Sequence, residues 1–407
     1  MNSIHAAGWA VARKLGEAAR ALGLAGLHDA RGIGSVLVPS IRNGSVETTR
    51  LRTAPPVLQH ALDHPPRSLD PDGRFERAFI SEELPFAPST LLRLSSARLV
   101  GADAVLVDPR NGRAIADSVP DITYLTKLPV LRRPRLLGRR RRLAGHVCVL
   151  AAYPPRNYFH FVTDELSRLY AFSDAGSADL QGLRDNAAET TFVVDAAGPP
   201  WQREFLRLLG LRSSTIELDN RANLIADELV FPTYVGPQHP VFGGVVFPSA
   251  VMQWLGRVLC EAAGTGSEDR RRLYITRQFA ATRRLSNEAA VSHLLETRGF
   301  ETIAPEDLSV RDQIRAFATA EAVVAPHGAG LTNMLFGASC SVVELLSPEY
   351  LSPCYYLLSE ALGHSYWYVL GRLDGIGQFA DYTVDPARLA ATLEAALIQT
   401  RSTIRES

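Results

Sequence analysis

The segment HGAGLTN at residues 327–333 has the residue types and the spacing of an anion-binding turn. It follows the apolar run AVVAP and precedes MLF, an order that predicts a strand, a tight turn and the start of a helix. Gly328 and Gly330 allow a ligand to approach the backbone, and the free N–H groups at a helix start favour a diphosphate. Glu344 ends the next predicted strand, where a carboxylate can accept both hydroxyls of a ribose. A tight turn without a ligand is the alternative explanation of one glycine pair.

Arginine side chains offer the positive charge that a diphosphate needs. Arg277 directly follows one predicted strand. Arg283, Arg284 and Asn287 lie shortly before a predicted helix. Because the carboxyl ends of parallel strands meet at one edge of a sheet, these guanidinium groups can reach the glycine turn and bind phosphate through paired hydrogen bonds. Solvated arginines on a surface loop are the alternative.

A second polar group lies on a helix predicted over residues 157–172. At about 100° per residue, one face of this helix carries Asn157, His160, Asp164, Ser167 and Arg168. A stripe with His and Asp one turn apart can place a general base next to a substrate. The same spacing is found on ordinary surface helices, so the spacing alone leaves both interpretations open.

Alternating periods along the chain indicate the elements that position these residues. The expected strands cover residues 146–151, 191–195, 228–231, 272–276, 300–303, 322–325, 341–345 and 365–370, with helices between most of them. Such alternation predicts parallel sheets covered by helices. The expected fold class is therefore α/β, with two doubly wound Rossmann-type domains facing across a cleft. Residues 1–235 would form an acceptor-side domain, 236–248 a linker rich in Pro and Gly, and 249–407 a nucleotide-binding domain. The order of elements within residues 1–145 stays undefined.

Composition argues against several classes of partner. Among 407 residues, Lys plus Arg and Asp plus Glu number 43 each, so no global field attracts nucleic acid. Seven arginines in residues 132–142 are interpreted as a solvated loop, with a surface for anionic lipid or a polyanion as the alternative. An amphipathic pattern over residues 9–22 leaves a peripheral contact with the inner face of a membrane open as well. Four scattered cysteines predict free thiols and a cytoplasmic protein.

Together these residues resemble the bacterial branch of glycosyltransferase family 61, often labelled as capsular polysaccharide biosynthesis proteins. The resemblance rests on Arg277, residues 283–287, Glu288, Gly299, Phe300, Gln313, Ala320, HGAGLTN, Phe336 and Glu344, and upstream on NYFHFVTDELSRLY. It implies a fold of the GT-B type and an inverting transfer of a sugar from a nucleotide-sugar, by default a UDP-sugar, to a hydroxyl of a glycan or glycoconjugate. Thr276 and Ser167 stand where the family commonly has Ser and Pro. These departures leave the acceptor open.

The resemblance also implies roles for individual residues. Asp164 is favoured as the catalytic base, with His160 as the alternative, and Asn157 and Arg168 are expected on the acceptor side. The expected donor-binding residues are Arg277, Arg283, Arg284, Asn287, His327, Gly328, Ala329, Gly330, Leu331, Asn333 and Glu344.

No metal or other cofactor is expected. Asp70 and Asp72 match an Asp-x-Asp motif, but Pro71 and Gly73 indicate a turn. Arginines and helix N-terminal amides would then stabilise the leaving diphosphate. A dinucleotide-dependent oxidoreductase is one competing interpretation, although Asn333 stands where its third glycine would be. A non-catalytic module that binds a nucleotide or a polysaccharide is the other.

Overall fold

A computed structural model describes most of the chain from residue 89 onward. The described residues are 48–53, 67, 89–107, 115, 118, 136–151, 156–173, 179–234, 247–266 and 270–406. The amphipathic segment 9–22, the Asp-x-Asp motif at residues 70–72 and nearly all of the expected linker lie outside them.

The first half of the described chain contains a mixed sheet. Its strands are β1 (Thr48–Thr53), β2 (Thr90–Val100), β3 (Val105–Val107), β4 (Arg141–Val149), β5 (Thr191–Asp195), β6 (Ser213–Ile216) and β7 (Asn223–Pro232). The order is β1-β2-β7-β4-β5-β6, with β3 beside β2. Strands β7, β4, β5 and β6 are parallel, whereas β1, β2, β3 and β7 pair in antiparallel fashion. The expected doubly wound sheet is therefore wrong for this end, because β2 and β3 form a hairpin without a crossover helix.

The helices of this half follow β4 and β5. Helix α1 consists of an α-helical turn (Tyr158–His160), a π-helical turn (Phe161–Glu165) and a 3-10 segment (Leu166–Phe172). Helices α2 (Leu180–Ala187) and α3 (Pro200–Leu208) complete the layer. In α1, the Asn157 side chain accepts a hydrogen bond from the backbone N–H of His160 at 3.3 Å and so fixes where the helix begins.

The second half has the predicted alternation of helices and strands. Its elements are α4 (Ser249–Ala263), β8 (Arg271–Ile275), α5 (Glu288–Glu296), β9 (Phe300–Ile303), α6 (Val310–Ala318), β10 (Ala320–Pro326), a 3-10 helix (Ala329–Phe336), β11 (Ser341–Leu346), α7 (Cys354–Leu362), β12 (Ser365–Leu370), β13 (Arg372–Leu373), β14 (Tyr382–Thr383) and α8 (Pro386–Glu406). The sheet order is β12-β11-β10-β8-β9, and every pair in it is parallel. The predicted parallel sheet is confirmed here.

One hydrophobic cluster spans the two halves, and each half also has a cluster of its own. The shared cluster contains Phe161 and Phe192 from the first half together with Leu273 and Val323 from the second. Helix α4 packs closely enough on the 3-10 helix that a Cβ on Gly256 would lie 2.4 Å from the carbonyl oxygen of Leu335. The sheets are therefore held in a fixed relation by continuous apolar contact.

The structure also describes the four cysteines and part of the basic segment at residues 132–142. The four cysteines are free thiols, as predicted. Strand β4 begins at Arg141, earlier than the expected residue 146, and Arg142 forms an ion pair with Asp227 at 2.6 Å. The basic segment therefore continues into strand β4, and at Arg142 its positive charge is paired with an acidic side chain. Within the described ranges, no helix combines the length and the apolar character needed to cross a bilayer.

Candidate active site

Two arginines lie close together after strand β8 without an acidic partner. In the described part of the chain, neither Arg277 nor Arg283 forms an ion pair, and the buried Nε atom of each has no hydrogen-bond partner. The pKa of Arg277 is lowered by burial and by the positive charge of Arg283. The guanidinium of Arg283 lies 4.0 Å from the ring centroid of Tyr350. A pair of cations held in this way favours an anionic ligand.

The glycine turn lies directly beneath Arg277. A Cβ on Gly328 would be 2.0 Å from Nη1 of Arg277, so glycine at this position lets the guanidinium lie against the backbone. Arg283 itself has a positive φ of 56°, an uncommon conformation for a residue with a side chain. The structure therefore brings together Arg277, Arg283 and the turn between β10 and the 3-10 helix.

Arg284 and Asn287 are engaged in other contacts. Arg284 is exposed and forms an ion pair with Asp381 at 2.9 Å. The side-chain amide of Asn287 donates to the carbonyl of Val384 at 2.7 Å and accepts from its N–H at 3.1 Å. Both side chains fasten the loop before α5 to the segment around β14, so a direct contact with the donor is not assigned to either.

The remaining residues of the glycine turn differ in their exposure to solvent. Ala329 and Gly330 are partly exposed, and Leu331 and Asn333 are completely buried. The Asn333 amide accepts from the Tyr158 hydroxyl at 2.6 Å and donates to Gln313 Oε1 at 2.9 Å. Asn333 and Leu331 thus support the turn from within the core, whereas the expectation from the sequence was donor contact.

Glu344 has a partner that the sequence did not indicate. It is completely buried, its Oε1 lies 2.5 Å from Nδ1 of His327, and its Oε2 accepts from the Tyr366 hydroxyl at 2.5 Å. Both carboxylate oxygens are therefore occupied by protein groups. The expected binding of a ribose by Glu344 is wrong, because the carboxylate lies inside the sheet and orients His327.

A second His–carboxylate pair lies on α1. Nδ1 of His160 is 2.7 Å from Oδ2 of Asp164. Oδ1 of Asp164 lies 3.1 Å from the Thr163 hydroxyl, which has a shorter hydrogen bond of 2.9 Å to the carbonyl of Phe159. The side chain of His160 is 22% exposed, compared with 9% for Asp164. The imidazole is therefore the more accessible member of the pair. The alternative of an ordinary surface helix is wrong, since the π-helical turn that carries Asp164 is buried throughout.

Arg168 lies in the interior, away from the exposed edge of this pair. Its Nη1 lies 2.7 Å from Oε2 of Glu165, and its Nε donates to the carbonyl of Pro232 at 2.8 Å. Its guanidinium also lies 4.5 Å from the ring centroid of Tyr234. With these contacts satisfied and only 2% of the residue exposed, Arg168 anchors α1 to the end of β7. The expected acceptor-side role is not supported by this location.

Aromatic contacts connect the two His–carboxylate pairs. The ring centroid of Phe159 is 5.1 Å from that of His160 and 5.6 Å from that of Tyr355. Tyr355 is in turn 5.1 Å from His327. The accessible histidine of the first half and the glycine turn of the second are thus linked through two packed rings.

The match of the sequence to a known family covers these same elements. Residues 158–343 match the family model Glycosyltransferase 61. This match begins in α1 and ends in β11, so it includes the arginine pair, the glycine turn and the His160–Asp164 pair. It supports the glycosyltransferase 61 family and, with it, a transferase that uses a sugar donor and an acceptor. No curated protein matches the sequence.

Some residues of this candidate site were not predicted as functional. Oε1 of Glu288 accepts from the Tyr274 hydroxyl at 2.8 Å, from Thr276 Oγ1 at 2.6 Å and from the N–H of Arg277 at 3.2 Å. This carboxylate fixes the backbone from which Arg277 extends. The sequence also did not predict a role for Tyr350. Its local sequence is that of an ordinary loop and does not indicate that the ring packs against the Arg283 guanidinium.

Within the described ranges, no group of three or more His, Cys, Asp or Glu side chains is arranged to hold a metal ion.

Proposed function

We propose that this chain is an inverting glycosyltransferase that moves a sugar from a nucleoside-diphosphate sugar, with UDP as the default nucleotide, to a hydroxyl of a glycan or glycoconjugate. The observation that carries the proposal is the partly buried pair Arg277 and Arg283. Arg277 lies against the backbone at Gly328, and neither arginine has a carboxylate partner among the described residues. Separating two cations from solvent is unfavourable unless an anion compensates them. A diphosphate supplies that charge, and the family match supplies the sugar.

The arginine pair also suits the chemistry of the leaving group. As the bond between the anomeric carbon and the diphosphate breaks, negative charge grows on the diphosphate. Guanidinium groups fixed in a partly dehydrated position stabilise that charge without reorganisation of solvent. Transfer is proposed to need no metal, so activity should persist in EDTA. Loss of turnover in EDTA that Mg²⁺ or Mn²⁺ restores would contradict this part of the proposal.

His160 is proposed as the catalytic base, in place of Asp164. The acceptor oxygen forms a bond to the anomeric carbon, the bond from that carbon to the diphosphate oxygen breaks, and the hydroxyl proton passes to Nε2 of His160. Asp164 accepts a hydrogen bond from Nδ1 and stabilises the imidazolium that results. This assignment is supported by the greater exposure of His160 and by the hydrogen bond that engages Oδ2 of Asp164.

We also propose a domain arrangement and a cellular role for the protein. The two sheets are proposed to form a GT-B-type enzyme, with the acceptor on the side of α1 and the donor on the side of the glycine turn. A role in surface or capsular polysaccharide biosynthesis at the cytoplasmic face of the membrane is proposed from the resemblance of the motifs.

A screen of nucleotide-sugars tests the function directly. Thermal unfolding would be measured with UDP-, GDP-, CMP- and TDP-sugars, because a ligand at 100 times its Kd stabilises the folded state by about 2.7 kcal/mol. The sugar that stabilises the protein is then tested for slow hydrolysis without acceptor. Binding without hydrolysis or transfer would indicate a non-catalytic module instead. Stabilisation by NAD(P) alone would indicate an oxidoreductase.

A further inference from the structure

The His327–Glu344 pair forms a third polar group beside the arginines. Glu344 lies in β11 between β10 and β12 and is 0% exposed, and each of its carboxylate oxygens has one short hydrogen bond. A buried carboxylate is strongly unfavourable unless a cation or several donors compensate it. The titratable groups facing it are Tyr366, Tyr355, Cys354 and Tyr382. The His327 imidazole is the group in contact with Glu344 that can carry the compensating charge.

The imidazole lies beside both arginines of the proposed anion site. His327 immediately precedes Gly328, on which the guanidinium of Arg277 lies. Its ring contacts Tyr350, the same ring that carries the guanidinium of Arg283, at a centroid distance of 5.1 Å. Nδ1 is bonded to Glu344, and among the described residues the imidazole forms no second side-chain hydrogen bond.

The protonation state of His327 decides what Nε2 can do. When Nδ1 donates to Glu344 and the ring is neutral, Nε2 carries a lone pair and repels a phosphate oxygen. When the ring is an imidazolium, both nitrogens donate. A diphosphate offers acceptors only, so its presence selects the imidazolium, and the negative charge of Glu344 stabilises that form.

We propose that Glu344 and Tyr366 are positioning residues that hold His327 as an imidazolium with its Nε2–H directed at the departing diphosphate. This inference rests on the proposed function and adds a third donor to the arginine pair. The bond from the anomeric carbon to the diphosphate oxygen breaks, its electron pair stays on that oxygen, and Nε2–H donates a hydrogen bond to it. His327 keeps its proton, and the acceptor proton goes to His160. Tyr366 donates to the second oxygen of Glu344 and thereby fixes the orientation of the carboxylate.

The first test is kinetic and uses the nucleotide-sugar found in the screen. Removing one donor to a developing anion lowers kcat by about 10²- to 10³-fold, so His327→Asn is expected in that range. Glu344→Gln is expected to lower kcat by about 10- to 100-fold with KM little changed, because the imidazolium loses its counter-charge. Tyr366→Phe keeps that charge and should lose less. Tyr170→Phe removes a phenol that packs on Trp254, away from the pair, and serves as the control with kcat unchanged.

The second test is spectroscopic and does not depend on turnover. The protein is labelled with ¹⁵N-histidine, and the His327 resonances are identified by their absence in His327→Asn. With bound UDP at about pH 7.5, both ring nitrogens of wild-type His327 are expected to be protonated, and one should lose its proton in Glu344→Gln. A neutral His327 in the wild-type UDP complex, or an unchanged kcat in Glu344→Gln, overturns this inference alone. Failure of the wild type to bind any nucleoside diphosphate overturns the proposed function and this inference together.

Discussion

The hydroxyl of Tyr158 donates to Oδ1 of Asn333 at 2.6 Å and thereby joins the first turn of α1 to the 3-10 helix after the glycine turn. Tyr158 also packs edge-on against Trp201, and Asn333 is further held by Gln313. One buried hydrogen bond thus connects the helix that carries the proposed base to the segment that approaches the proposed donor. The distance between the two parts of the site is set by this contact and by the aromatic rings around it.

Tyr158→Phe should lower the free energy of unfolding by about 1–3 kcal/mol, because Oδ1 of the buried Asn333 loses its donor. Urea denaturation followed by circular dichroism measures the change. Tyr170→Phe is the matched control, and its effect should stay within about 0.5 kcal/mol. Equal stabilities of Tyr158→Phe and wild type would mean that the bond does not contribute.

Arg277→Ala and Arg283→Ala should each weaken nucleoside-diphosphate binding by about ten- to hundredfold, since a charge-assisted hydrogen bond contributes about 1.5–3 kcal/mol. Isothermal titration calorimetry with UDP measures the affinity. Arg284→Ala is the control, because Arg284 is exposed and paired with Asp381. The assignment of the anion site to Arg277 and Arg283 is refuted if Arg284→Ala has the largest effect of the three.

His160→Ala should reduce kcat by about 10²- to 10⁴-fold while donor affinity is maintained. Asp164→Asn should also reduce kcat, because the amide no longer stabilises the imidazolium of His160. Steady-state kinetics of transfer and UDP titrations separate catalysis from binding. If Asp164→Asn is inactive and His160→Ala retains near-normal turnover, Asp164 is the base, as the sequence favoured.

Asp103 should make stability depend on pH near neutrality. Burial, and secondly the charge of Glu165, raises its pKa from 3.8 to about 7. Because the folded-state pKa is above the unfolded value, the contribution of Asp103 to stability is present at low pH and is lost as pH rises through about 7. Asp103→Asn should therefore resemble wild type at about pH 4 and be more stable than wild type at about pH 8, by an amount on the order of a few kcal/mol. Chemical denaturation at both pH values measures this, and a constant difference between the two proteins would contradict it.

Gly256→Ala should lower the free energy of unfolding by about 1–3 kcal/mol through overpacking. The added Cβ would lie 2.4 Å from the backbone carbonyl oxygen of Leu335. This overlap can be relieved only if α4 and the 3-10 helix move apart. Gly266→Ala is the control, since a Cβ there meets nothing within 4 Å. Thermal unfolding compares the two variants. Equal Tm values would show that α4 accommodates the added Cβ without a loss of stability.

The second sheet was predictable because its central strands β10 and β11 are buried along nearly their whole length. Largely apolar runs of this kind, separated by helical periods, are typical of a parallel sheet covered by helices. The first sheet was less predictable, since the pairing of β2 with β7 joins residues that are far apart in the sequence. No local pattern encodes such a long-range antiparallel pairing.

The site was predicted in part for a similar reason. Spacing identified Arg277 and the glycine turn, because both follow strands whose ends share one edge. Regular helical spacing correctly placed His160 beside Asp164. It did not predict that Ser167 and Arg168 are buried, because α1 changes from a π-helical turn to a 3-10 segment and departs from 100° per residue. The partner of Glu344 was missed because burial, which the sequence does not state, decides whether a carboxylate contacts a ligand or an imidazole.

The loop that carries Arg283 is fastened to the β13–β14 hairpin: the N–H of Arg283 donates to the carbonyl of Phe379 at 3.3 Å, and Leu285 forms a bridge with Tyr382. The connection between β13 and β14 is short, exposed and rich in glycine, so it tolerates insertion and deletion. A change in its length would move Arg283 without altering any side chain that faces the proposed donor. Divergence of nucleotide preference among related chains can therefore begin in a hairpin that a comparison of site residues would overlook.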